Sequence, residues 1–148
     1  MTRKRKIILI LGVSPLVLLA IVVGAFIWLV KRDLSPEYQA QSAKPIIGAW
    51  KQYYRKTGKY PSKPSDLGPF LPAKVHPFDA NENKDAGFAI DDGATWFFEV
   101  ATSNGIPDIW VQMRDEGLSY SFDGTNDNWE FDPGDGTTGP IKLNIKIK

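Results

Sequence analysis

Residues 96–123 read WFFEVATSNGIPDIWVQMRDEGLSYSFD, and their apolar side chains recur at every second position. Trp96, Phe98 and Val100 alternate with Phe97, Glu99 and Ala101. Ile109, Val111 and Met113 alternate with Trp110, Gln112 and Arg114, and Leu118, Tyr120 and Phe122 with Ser119, Ser121 and Asp123. A period of two is that of a strand with one buried face. Asn104-Gly105 supplies a tight hairpin turn and Asp115-Glu116-Gly117 another, so these three strands form an antiparallel meander.

Working outward, Phe88-Ala89-Ile90 predicts a short strand before the turn at Asp91-Asp92-Gly93, and Trp129 with Phe131 a brief one after the meander. Ile141, Leu143, Ile145 and Ile147 alternate with Lys142, Asn144, Lys146 and Lys148, which reads as a lysine-studded edge strand. The segment from Val75 to Asp85 reads as polar loop. Upstream the period becomes helical. Ser35-Pro36-Glu37 is a helix start, and Tyr38, Ala43, Ile46, Ile47, Trp50, Tyr53 and Tyr54 lie close to one helical stripe. Pro45 predicts a kink or two helices in sequence, and Gly58 a left-handed cap. Four prolines between Tyr60 and Pro72 mark a connector with one helical turn at Ser65 to Phe70. A helix followed by an antiparallel sheet buries its stripe on the sheet, which predicts a two-layer α+β domain.

At the N-terminus, residues 7–30 form 24 uncharged, mostly apolar residues between Arg3-Lys4-Arg5-Lys6 and Lys31-Arg32. As a helix this run is about 36 Å long, against a hydrocarbon core of about 30 Å. The expected organisation is a cytoplasmic basic segment (1–6), a transmembrane helix (7–30) acting as an uncleaved signal anchor, and an extracytoplasmic α+β domain (31–148). The positive-inside bias then places the chain in the inner membrane as a single-pass protein, with its C-terminal domain periplasmic or extracellular. The lipid bilayer is one expected partner.

The 148 residues carry a formal charge of +1, but unevenly. Residues 34–75 hold 7 basic and 2 acidic groups, whereas 76–148 hold 5 and 14. Such asymmetry steers a protein partner or orders subunits into an oligomer; equally, it describes a basic helix lying on an acidic sheet of the same molecule. With no cysteine and one histidine, His76 in a loop, neither a nucleophilic triad nor a zinc site is expected, and the chain is read as no enzyme. Oxygen donors at alternate positions make Asp123, Asp127, Asp132 and Asp135 candidate calcium ligands, and Asp79 to Asp85 has a similar look. Neither loop matches an EF-hand, and Asp, Asn and Gly also build turns without metal. Apart from calcium in that loop no cofactor is expected. Nucleic acid is not an expected partner, because the basic residues do not interleave with aromatics on strands.

Ile46-Ile47-Gly48-Ala49-Trp50-Lys51-Gln52-Tyr53-Tyr54-Arg55-Lys56-Thr57-Gly58-Lys59-Tyr60-Pro61, followed by Ser65-Asp66-Leu67, resembles the helix end and crossing loop of type IV pilins and type II secretion pseudopilins. At motif level the resemblance covers Ile46 to Leu71. It implies a pilin-like architecture, with the N-terminal transmembrane helix continuing towards an amphipathic helix on the sheet. It implies as function a membrane-anchored binding or structural protein, an accessory or minor component of an envelope secretion or pilus-like assembly. The family's peptidase site and its glutamate have no counterpart: Gly12 is followed by Val13-Ser14-Pro15, and residues 7–30 contain no acid. The alternative, drawn from charge alone, is a membrane-anchored inhibitor or immunity protein covering the basic cleft of a toxin or lytic enzyme.

Overall fold

A computed structural model describes residues 15, 17–27, 35–81, 85–91, 93–100, 105–113 and 116–147. The chain divides into two compact units, Met1–Ser35 and Pro36–Lys148. In the first, residues 17–27 are helical (α1) and their large apolar side chains are exposed.

This corrects the expectation of a transmembrane helix over residues 7–30. Of residues 7–30, positions 7–14, 16 and 28–30 lie outside the described residues. Among the described residues no helix is long and apolar enough to cross a membrane. The signal anchor, the inner-membrane location and the periplasmic or extracellular placement rested on that span and fall with it. The basic residues Arg3 to Lys6 and Lys31-Arg32 lie outside the described residues. The pilin-like continuation of an N-terminal helix onto the sheet is likewise corrected. Four short helices stand among the described residues, and the two tied to the sheet begin at Pro36 and Lys44.

The second unit opens with α2 (Pro36–Ser42) and α3 (Lys44–Thr57), separated at Ala43. Pro45 sits in the first turn of α3, where a missing N–H costs nothing because no intrahelical acceptor awaits it. Ile46, Ile47, Ala49 and Trp50 form the buried stripe. At the far end Gly58 takes φ 66°, its N–H donates to the Tyr54 carbonyl at 2.7 Å, and Arg55 and Lys56 face the negative end of the helix dipole. A 3-10 helix, Pro64–Phe70, follows. The Asp66 carboxylate accepts from the Ser62 N–H (2.8 Å), the Ser62 hydroxyl (2.9 Å) and the Lys63 N–H (3.2 Å), which fixes its first turn.

Seven strands then pair antiparallel, each with its neighbour in the chain: β1 (Val75–Phe78), β2 (Gly87–Ile90), β3 (Thr95–Val100), β4 (Pro107–Met113), β5 (Glu116–Phe122), β6 (Asp127–Asp132) and β7 (Ile141–Leu143). β1 lies where a loop is expected. Its Pro77 argues against a strand in the interior of a sheet, but β1 is an edge, where no partner needs that N–H. β7 is shorter than the expected strand, although Ile145 and Ile147 still pack against the core. Asn104, Arg114 and Asp115 of the expected turns lie outside the described residues.

The inner face carries Phe98, Ile109, Tyr120, Trp129 and Leu143 in register across β3 to β7, and all but Leu143 are buried. Trp50 settles on this row, its ring 6.4 Å from Phe98 and 5.9 Å from Tyr120 in an edge-to-face contact. Tyr54 meets Phe122 edge-on at 5.6 Å. Two polar ties fix α2 and α3 to the sheet. Trp96 Nε1 donates to Ser42 Oγ at 2.9 Å, and Lys51 Nζ lies 2.7 Å from the Asp127 carboxylate, which also accepts from the Tyr120 hydroxyl at 2.7 Å.

Candidate functional site on the outer sheet face

Because α3 occupies one face of the sheet, the residues of opposite parity line up on the other. Phe78, Gly87, Phe97, Trp110, Ser119, Glu130 and Lys142 form one row in register across all seven strands. Beside it runs Glu99, Asp108, Ser121 and Asn128. Of these two rows Glu99, Asn128 and Lys142 are exposed, and Phe97, Asp108, Trp110, Ser119, Ser121 and Glu130 are half-buried.

The aromatic end of the row is built by contact. Phe97 and Trp110 stack with ring centroids 4.5 Å apart and planes 26° from parallel. A Cβ on Gly87 would run into the Trp96 carbonyl oxygen and sit 2.9 Å from the Phe78 ring, so the absence of a side chain there lets Phe78 lie over the strand. On β5, Gly117 leaves space beside Trp110. A depression of about 210 Å³ opens there, bounded by Trp110, Gly117, Ser119, Glu130, Asp132 and Pro140. A second, of about 270 Å³, adjoins it and shares Ser119 and Glu130; its other walls include Asp108, Ser121 and Asn128.

The electrostatics of this face are unfavourable to the domain itself. Asp108 stands directly opposite Glu99 in the β3–β4 ladder, and like charges across a strand pair destabilise it. Burial, and then the neighbouring Glu99 and Glu130 carboxylates, push the Asp108 carboxyl above its ordinary value. Its Oδ1 is buried without a hydrogen-bond partner. With exposed Asp132, the described strand residues of this face carry four carboxylates against Lys142 at the β7 edge. The charge asymmetry of the sequence thus becomes an asymmetry of layers. Lys51–Asp127 and Lys63–Asp79 (3.9 Å) join the two layers, while the carboxylates of the outer face point away from the basic helix.

The four candidate calcium ligands are each engaged locally. Asp123 accepts from the N–H groups of Thr125 (2.9 Å) and Asn126 (2.7 Å), bonds that hold its carboxyl down at about 2. Asp135 accepts from the Thr138 hydroxyl (2.6 Å) and from the Thr137 and Thr138 N–H groups, and is likewise held at about 2. Asp132 accepts from the Gly134 N–H, and Asp127 belongs to the Lys51–Tyr120 tie. Among the described residues no three His, Cys, Asp or Glu side chains converge as a metal-holding group. In the other acidic loop Asp79 bonds Ser65, and residues 82–84 lie outside the described residues. His76 is exposed, its Nε2 2.9 Å from Asp91 Oδ1 at the β1 edge.

Sequence reasoning did not single out Phe97, Asp108, Trp110 or Glu130 as a site. The signal was present: Phe97 and Trp110 occupy the outward phase of strands whose other outward residues are polar, and a wet sheet face does not ordinarily need aromatic rings there.

No family model, curated protein or solved structure matches this chain.

Proposed function

We propose that the Pro36–Lys148 domain is a binding module which docks a basic surface of a protein partner on the outer face of its sheet and performs no chemistry of its own. Asp108 carries this reading. A carboxylate placed opposite Glu99, close to Glu130 and with one oxygen unpartnered, costs the isolated domain stability, and a cationic partner would relieve that cost. Groups kept at the expense of stability mark functional surfaces. The reading belongs with inhibitors and immunity proteins that cover the basic cleft of a toxin or lytic enzyme.

A second reading, an accessory component of a pilus-like or secretion assembly, draws support from the closure of α3. Gly58 caps the helix in the left-handed conformation, and Tyr54 rests on the sheet against Phe122 at 5.6 Å, as the resemblance over Ile46 to Leu71 implies.

Both readings require a protein on the surface of the domain, and site-specific photo-crosslinking locates it. A crosslinking amino acid at Gln112, exposed on the outer face, should capture a basic protein in the native host, whereas one at Gln52, exposed on α3, should not. Capture from Gln52 alone would favour the assembly reading. Capture from neither position would overturn both.

A further inference from the structure

The two depressions on the outer face lie on either side of Ser119 and Glu130 along the strand direction. One reaches towards Gly117 and Asp132, the other towards Ser121 and Asn128. Gly117, Ser119 and Ser121 are alternate residues of β5, so the depressions are offset along the strand by about 7 Å. That offset equals the distance between side chains i and i+2 of an extended chain, which project to the same side.

The linings differ. In the first depression Trp110, stacked on Phe97, offers a ring beside Glu130 and Asp132. A guanidinium suits this wall, because it lies flat on an indole while its edge N–H groups reach carboxylates; an ammonium gains from the charge but not from the plane. The second depression lacks an aromatic wall and presents Asp108, Glu130, Ser121 and Asn128, acceptors that suit either cation.

Resting on the reading of this face as a dock for a basic partner, we propose that it takes an extended segment of that partner with basic side chains at alternate positions, arginine beside Trp110 and arginine or lysine beside Asp108. Charge complementarity selects this occupant over a neutral one. The unpartnered Asp108 oxygen and the opposed Glu99 and Asp108 carboxylates gain a counter-charge that no described residue places there.

Calorimetric titration of the full chain with synthetic peptides tests this. A peptide with Arg-Ala-Arg at its centre should bind about tenfold tighter than its isomer with Arg-Arg-Ala, whose cations project to opposite sides when extended. Changing the arginine beside Trp110 to lysine should weaken binding several-fold, and Trp110→Leu should abolish that preference while leaving the spacing preference. Glu130→Gln, a milder change to the shared wall, should weaken every peptide and guards against a Trp110→Leu chain that fails to fold. Equal binding of the spacing isomers would overturn the two seats while leaving the dock for a basic partner standing. Crosslinking of a basic protein from Gln112 with no peptide binding would do the same. Binding of a neutral oligosaccharide in place of the peptides would overturn both.

Discussion

Replacing Trp50 by phenylalanine and by alanine separates what its ring contributes from what its indole N–H costs. Trp50 is fully buried beneath Phe98 and Tyr120, and its Nε1 is buried without a hydrogen-bond partner. Truncation to alanine empties the centre of the inner face, and large-to-small changes of this kind cost about 4 kcal/mol. Phenylalanine gives up about 40 Å² of apolar surface, worth about 1 kcal/mol at 25 cal/mol per Å². It also removes a buried donor whose desolvation costs about 1–3 kcal/mol. The two terms oppose, so Trp50→Phe should lie between the parent's stability and about 2 kcal/mol above it. Urea unfolding of the full chain followed by far-ultraviolet circular dichroism reads both, since that signal does not depend on the residue replaced. With a slope of about 1.5 kcal/mol per molar, the alanine midpoint should fall by about 2–3 M and the phenylalanine midpoint should hold or rise by up to about 1 M. A phenylalanine variant as unstable as the alanine one would refute the reasoning, because the N–H would then be stabilising.

The outer face and the acidic loops give two pH-dependent expectations. The Asp108 carboxyl is raised in the folded state, so its penalty is absent below the ordinary carboxylate range and grows as pH rises through and above it; Asp108→Asn should melt higher than the parent at pH 7 and match it near pH 3, measured by melting temperature. Asp123 and Asp135 show the opposite sign, held at about 2 against an ordinary 3.8, so their contribution is complete above about pH 4 and is lost between pH 4 and pH 2. The double change Asp123→Asn and Asp135→Asn should flatten that acid limb, and a limb of unchanged steepness would show that other carboxylates govern it.

What could be read from sequence was local. The closure of α3 depends on residues within one turn of Gly58, and the alternation from Trp96 to Phe122 depends on neighbours two apart; both kinds of information are present in a short window. β1 escaped because whether Pro77 is tolerated depends on the strand's being at an edge, which only the complete pairing decides. From sequence, Asp123 and Asp135 read equally as carboxylates for a cation and as acceptors for backbone N–H groups, since the same residues serve both. The membrane span failed for another reason. Apolar composition measures affinity for lipid, whereas spanning also needs length, and among the described residues no helix is long and apolar enough to cross a membrane. The outer site was half legible: outward rings at Phe97 and Trp110 stand out in the alternation, but their meeting with Asp108 and Glu130 depends on register between strands.

Strand order that follows chain order also constrains how the domain emerges during synthesis. Each hairpin can close as soon as its second arm leaves the ribosome, and no strand has to hold a gap open for one made later. α3 is in the reverse position. It is complete by Thr57, but the floor for Trp50 includes Tyr120 on β5, so its greasy stripe must wait through more than sixty further residues of translation. That interval, rather than any edge of the finished sheet, is when the nascent polypeptide is most open to capture by a chaperone.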